Sequence, residues 1–580
     1  MRRSGIPAAS SRTRDVQNAV CFEGDGMQRR SVLAGAAGLG LGLARGAAAQ
    51  GSSQGSSQGG GQGAAGQGGA ARPALAKGDA ALMLRYIPQS DPTSLDPLST
   101  TAYAVRNHGH LCWDTLYGLD IGFRPQPQLA EGHVVEEEGR RWVFTLRDGP
   151  VFHDGEPVRA ADAVASIRRW MARDTHGQAL AARLDEMRAL DDRRFEIRLQ
   201  RPFTAMLAAL AKASSYPCFI YPERFARQPA GQPLAEVVGS GPYRYEAAER
   251  VPGKLAVYRR FERYLPARGA VSLTAGPKFA GFERLEWRHL PDPAAAAEAL
   301  QNGEVDWWEQ VAPDLRPVLR HTRHVVVDRL DYGGTIAMLR PNHLHPPFDD
   351  PAARRALLPA LRQADFMTAI MGDSRDLWRD DVGCFPPGSP VASAVGLEAL
   401  TGPRDVEAAR RALRESGHDG AKVVLLHPTD VVNNSNLTAV ATDLLQRVGF
   451  TTESATCDWR SFLQRRASRA APAEGGWNAL VGLFSGLDMM TPGGHPLLRA
   501  NGARAWFGWP DLPRLEALRE QWFDTAGEAA QKQLGEAIQR RFFEDLPYWP
   551  LGQYMIDSAW RSNIVGHRKG MALPLNVRRV

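Results

Sequence analysis

Segments of period two and of helical period follow one another along most of the chain. Trp142, Phe144 and Leu146 alternate with Val143, Thr145 and Arg147, which predicts a strand with two distinct faces. Asp148-Gly149-Pro150 turns the chain, Val151-Phe152 offers a short second strand, and Asp154-Gly155 turns it again. Val164, Ile167 and Met171 then recur at helical spacing, with Asp162 where a carboxylate favours the positive end of a helix. Phe195, Ile197 and Leu199 alternate with Arg194, Glu196 and Arg198, and residues 255–258 and 285–287 read as further strands. An Ala-rich helix over 294–300 ends at Asn302-Gly303. Val406, Ala409 and Leu413 form a helical stripe closed by Gly417, residues 423–426 make a buried strand, and Leu437, Val440, Leu444 and Val448 a helix closed by Gly449. This strand–helix alternation indicates an α/β lobe.

A chain of 580 residues exceeds one ordinary core, so two or three domains are expected. Hydrophobic content of 43% and charged content of 23% are those of a soluble globular protein. The net charge of +6 sets no basic surface: seven arginines against three acids before Gln50 hold +4 of it. Nucleic acid is therefore set aside as a partner. Five cysteines (Cys21, Cys112, Cys218, Cys384 and Cys457) show no C-x-x-C pair and no zinc spacing. Buried free thiols and disulfides among the last four both stay open.

The N-terminus reads as an address. Arg29-Arg30 precedes a weakly apolar Gly/Ala run, and Ala47-Ala48-Ala49 supplies small residues for a signal peptidase. Residues 1–49 thus look like a leader with a Tat-type signal, directing the protein to the periplasm, and Met27 is a candidate true start. No cysteine follows directly, so a lipoprotein anchor is not expected. Residues 50–77 form a Gly/Ser/Gln-rich, disordered linker. Its GSSQG matches a hydrolase pattern by chance, lacking the strand and helix that such an elbow needs.

Read in order, LAEG, then W-x-F-x-LRDGPVFHDGEPV, then A-x-D-x-V resembles the signature of the periplasmic solute-binding proteins of ABC importers. The type is the dipeptide, oligopeptide and nickel family, solute-binding family 5. Ser94-Leu95-Asp96-Pro97, Trp113-Asp114-Thr115-Leu116-Tyr117-Gly118, Gly239-Ser240-Gly241-Pro242-Tyr243 and Gly303-Glu304-Val305-Asp306 are similar to further family segments. So is the run from Asn342 through Phe348, Arg354 and Leu357. Arg159 stands where the family usually has a capping Thr.

The resemblance implies an α/β chain with the two-lobed periplasmic binding protein fold (type II, Venus-flytrap) and an extra inserted α/β domain. The first lobe would comprise 78–120, 240–332 and 506–580, the inserted small domain 121–239, and the second lobe 333–505. Chain crossings are expected near Gly239 and Tyr332, with a return near Trp506. The implied function is capture of a peptide or peptide-like (opine-like) solute and delivery to an ABC permease and its ATPase, by a monomer without cofactor or catalysis.

Peptide binders of the family offer an Asp to the ligand's amino group after a Trp-Asn-type strand. Here Trp477-Asn478 begins that strand, Asp488 is the nearest candidate one position late, and Leu487 occupies the expected place. Val481 stands where some members carry a base for a carboxylate. Trp506, Phe507 and Trp509 would stack on the solute, the alternative being a packing corner. His153-Asp154 reads as a turn closed by side-chain hydrogen bonds rather than a metal or catalytic pair. Trp307-Trp308 read as lobe core. Within transport, His343, His345, His427 and His495 leave nickel or metal-chelate binding as an alternative. A secreted hydrolase is the alternative from another class, but no triad order, H-E-x-x-H or paired-carboxylate motif supports it.

Overall fold

The structure, a computed structural model, describes residues 82–580. The leader, the linker, Cys21 and the choice of Met27 lie outside the described residues.

The first lobe is built on a seven-stranded sheet. Met83–Ile87 lies near its centre, parallel to Arg284–Arg288 on one side and to Trp307–Trp308 on the other. Leu255–Arg260 and Tyr243–Tyr245 extend one flank, and Ser558–Arg561 and Val325–Asp328 the other, all antiparallel. Tyr86, Trp287 and Trp307 are buried at its heart, the Tyr86 ring 5.6 Å from that of Trp287 and 5.1 Å from that of Trp307. Trp307 and Trp308 thus belong to lobe core. Asp306 of the Gly-Glu-Val-Asp segment pins this sheet, taking two hydrogen bonds from the Arg85 guanidinium and one from Arg579 near the C-terminus.

The inserted domain is a four-stranded antiparallel sheet, in the order Ala130–Glu136, Arg141–Leu146, Arg194–Leu199, Leu184–Ala189. The alternation at Trp142, Phe144 and Leu146 buries that face, and Phe144 stacks on Phe195 at 5.0 Å. The helix Ala160–Met171 covers it. Asp162 accepts from the Arg159 and Glu223 backbone N–H groups, supplying the cap that Arg159 itself does not. Val151-Phe152 does not become a strand. It makes a single bridge, Val151 opposite Pro157, held by Phe152 N to Glu156 O and Val158 N to Pro150 O. A buried ion pair, Arg169 to Asp96, ties this helix to the first lobe and explains the Ser-Leu-Asp-Pro segment.

The 239–243 crossing is tight. A Cβ on Gly239 would stand 1.8 Å from the Cys112 carbonyl oxygen, and one on Gly241 2.6 Å from that of Leu111. Only glycine admits this approach. His153 locks the crossing, accepting from Gly239 N at Nδ1 and donating from Nε2 to Gly241 O at 3.0 Å. Its role is the structural one.

The second lobe carries a six-stranded sheet in which Thr335–Pro341 pairs antiparallel with both Ala479–Ser485 and Trp549–Tyr554. Val423–Pro428 and Thr452–Cys457 continue it in parallel. This corrects the expected return near Trp506. The chain stays in the second lobe through Tyr554, because Trp549–Tyr554 satisfies the other edge of Thr335–Pro341. The return falls between Tyr554 and Ser558. The preceding helix Glu528–Asp545 also packs there, with Gln539 donating to Ser393 O and Val395 O.

The four described cysteines are free, with Cys112, Cys218 and Cys384 buried. Among the described residues no helix is long and apolar enough to cross a membrane.

Candidate functional site

The strand Ala479–Ser485 ends in a single 3-10 turn, Gly486–Asp488, which aims Asp488 away from its own lobe. Asp488 is 1% exposed. Its Oδ2 accepts from Tyr103 Oη at 2.9 Å and from Ser215 Oγ at 2.8 Å. Tyr103 opens the first-lobe helix Tyr103–Cys112, and its hydroxyl also accepts from Ser485 N. Ser215 lies in a loop where both it and Tyr216 hold positive φ, 37° and 59°. Such backbone costs energy for residues with a Cβ and persists where surroundings impose it. Burial, then the neighbouring Asp488 charge, pushes the Tyr103 hydroxyl well above its ordinary range, so it stays a donor.

The second carboxylate oxygen, Oδ1, is buried without a hydrogen-bond partner. A carboxylate oxygen left so is costly, and a cationic donor would satisfy it.

Next to this network lies a small cavity of about 40 Å³, room for a water molecule or two. Tyr103, Arg106, Glu309, Asp331 and Thr335 line it, from both sides of the lobe crossing. Arg106 donates to Asn107 and to Ser214 and lies 4.8 Å from the Tyr103 ring centre. Glu309 accepts from Asn107 Nδ2 and Gln89 N, and Asp331 from Gly333 N and Gly334 N. Burial raises both carboxyls above the usual range.

The other expected site residues divide. Leu487 lies against Gly333 at the crossing, so it shares the crease with Asp488. Trp506 meets Phe484 edge-on at 5.4 Å, and Phe484 precedes Ser485. Phe507 packs on Trp506 and under the Arg466 guanidinium. Trp509 goes elsewhere: 5% exposed, it packs on Trp477 and Arg469 in the body of the second lobe. The whole corner wraps Arg340, whose guanidinium donates to the carbonyls of Phe507, Trp506, Leu497 and Pro547. Val481 is buried, its carbonyl accepting from Asn434. Tyr103, Ser215, Glu309, Asp331 and Arg466 escaped sequence reasoning. None sits in a segment with a family pattern, and the partners of Tyr103, Ser215 and Glu309 lie more than 200 residues away in the chain.

The four histidines weighed for metal do not converge. His343 and His345 meet the carbonyls of Pro547 and Arg469, and His427 bonds Ser454 and Ser435. His495 Nε2 donates to Cys384 O while Nδ1 accepts from Leu497 N and Leu498 N. Among the described residues no three His, Cys, Asp or Glu side chains are grouped to hold a metal.

Known proteins share this architecture. Residues 124–485 match the family described as bacterial extracellular solute-binding proteins, family 5 Middle. The chain is 32% identical, over 81% of its length and 88% of the relative's, to the "Probable peptide ABC transporter periplasmic-binding protein y4tO" of Sinorhizobium fredii. In fold it is similar to the binding protein AgaA from A. tumefaciens R10 in complex with agropinic acid, at a TM-score of 0.71 and 20% identity. That likeness covers 86% of this chain and 99% of AgaA. DppA from Helicobacter pylori in complex with the peptide STSA gives 0.71 and 18%, covering 86% and 98%. The match over more than half of the chain and the relative in Sinorhizobium agree with the two-lobed sheets: the chain belongs to family 5 of the bacterial extracellular solute-binding proteins.

Proposed function

We propose that this protein captures a peptide or peptide-like, opine-like solute in the periplasm and hands it to an ABC permease and its ATPase. The observation that carries the reading is Asp488, buried at the lobe crease with Oδ1 unpartnered. That oxygen takes the cationic nitrogen of the solute, while Oδ2 stays on Tyr103 and Ser215. In a closed, water-poor crease such a charge-assisted bond gains strength. Trp506, with Phe484 and Phe507, walls the solute, and Trp509 stiffens that wall from behind. The role is binding and release, with no bond made or broken. The peptide relative in Sinorhizobium and the agropinic acid and STSA complexes support this solute class.

Native mass spectrometry of the protein taken gently from its own periplasm names the solute by its retained mass. Asp488→Asn then lowers affinity for that solute about tenfold or more. An effect within twofold removes the charge-pair reading. Export follows the Tat route, with the mature protein unanchored and monomeric. Arg29→Lys with Arg30→Lys leaves precursor in the cytoplasm, and export of that variant at the wild-type rate sinks the route.

A further inference from the structure

The inserted domain touches the second lobe as well as the first. Helix Pro513–Asp524 of the second lobe carries Glu520 and Asp524 one turn apart, Asp524 at its C-terminal end. Two carboxylates at that spacing repel each other, and an acid at that end opposes the helix dipole. Helix stability therefore does not account for the pair. Opposite stand Arg183 and Arg201, at the shared end of the paired strands Leu184–Ala189 and Arg194–Leu199, where Gln200 N donates to Arg183 O. Each guanidinium meets both carboxylates. Arg183 lies 2.6 Å from Glu520 and 2.9 Å from Asp524, and Arg201 lies 2.8 Å from Asp524 with Glu520 also in its fork.

The surroundings fit this meeting. Arg183 is fully buried, its guanidinium carbon 5.5 Å from the Phe203 ring centre of its own domain and 5.3 Å from that of Phe523 across the contact. Thr204 donates from N and Oγ1 to Phe523 O, and Arg499 donates to Gln178. Gly493 admits His176, since a Cβ there would stand 2.8 Å from His176 Nε2. The inserted domain is itself fixed to the first lobe by the Arg169–Asp96 pair and by Arg147, which donates to Leu265 O and Pro266 O. Opening of the lobes must therefore part these four charges.

We propose that Arg183, Arg201, Glu520 and Asp524 form an electrostatic clasp that sets how far the lobes stand closed before a solute arrives, separately from the crease at Asp488. Like charges sit side by side on each face, and only closure relieves them. Without the carboxylates the closed state buries the Arg183 charge unpaired, whereas opening returns it to water. The clasp thus biases closure and leaves the core of each lobe alone. Arg201, Glu520 and Asp524 are partly exposed, so salt weakens it. A solute that binds the closed form gains apparent affinity with the closed fraction, whatever its chemical class.

The test uses the ligand-free mature chain, its mass checked by native mass spectrometry, beside the variant Glu520→Gln with Asp524→Asn. Small-angle scattering reads opening at about 0.01 M and about 1 M salt, where the screening length falls from about 30 Å to about 3 Å. The wild type should be compact at low salt and expand at high salt, its open-to-closed ratio rising about tenfold or more. The double variant should be expanded at both. Arg201→Gln, from the other face, should also expand the chain at low salt, and it carries the test if the double variant folds poorly. Glu528→Gln with Glu536→Gln, on the neighbouring helix, removes the same charge and should follow the wild type. A radius of gyration that is equal in wild type and clasp variants at both salts, with faster hydrogen exchange confined to 513–524, overturns the clasp. An expansion that the control pair reproduces overturns it as well.

Discussion

Tyr103 donates to Asp488 Oδ2 at 2.9 Å across 385 residues of sequence, joining the first lobe to the second at their crease. Ser215 adds a second donor from the 121–239 segment. These two bonds tie the Asp488 carboxylate to the contact between the lobes.

Tyr103→Phe removes one donor from a buried carboxylate and leaves Ser215 alone. Hydrogen bonds to charged groups are worth about 1.5–3 kcal/mol, and the loss falls on the lobe contact rather than on either core. Small-angle scattering should therefore show a larger radius of gyration for the variant, with far-ultraviolet circular dichroism unchanged.

Asp96→Asn breaks the Arg169–Asp96 pair, both of whose side chains are almost fully buried. The uncompensated guanidinium costs about 3–5 kcal/mol. Urea unfolding should show that loss, along with earlier proteolysis of the inserted domain.

Gly241→Ala forces a Cβ to within 2.6 Å of the Leu111 carbonyl oxygen and the Cys112 carbonyl carbon. Overpacking against backbone costs about 1–3 kcal/mol, read as a lower melting temperature. Gly253→Ala is a control, since its Cβ meets nothing within 4 Å. Its φ of 73° still carries a strain penalty, so the informative quantity is the excess loss at Gly241.

His495 sets a pH dependence. Burial holds it near 3, well below an unfolded value near 6.5. Below pH 6.5 the unfolded chain therefore binds a proton that the folded one refuses. Its contribution is complete above that pH and lost as pH falls toward 3, at about 1.4 kcal/mol per pH unit. The physical block is Nδ1, which already accepts two backbone N–H groups and has no room for a proton. Denaturant unfolding at pH 7, 6 and 5 should show His495→Gln with a shallower decline than the wild type.

Much of the scaffold is legible in the sequence. The period-two face of Trp142, Phe144 and Leu146 and the helical stripe of Ala409 and Leu413 report burial within one element, which is local information. The glycines at 239 and 241 declared a close approach, though not that Leu111–Trp113 was what approached. Asp488 was reachable through its place after the Trp477-Asn478 strand. The reading of 506–580 as first lobe failed because nothing in Trp549–Tyr554 says which free strand edge it will join.

What the sequence determined by itself is the family, the order of strands and helices, and the single carboxylate placed after the strand at the crease. What the tertiary structure decided is which groups meet that carboxylate and where the chain returns to the first lobe. The reason is physical. Periodicity and turn chemistry act over a few residues, whereas Tyr103, Ser215 and Asp488 come together only when separate elements pack, and such pairings leave no repeating mark along the chain.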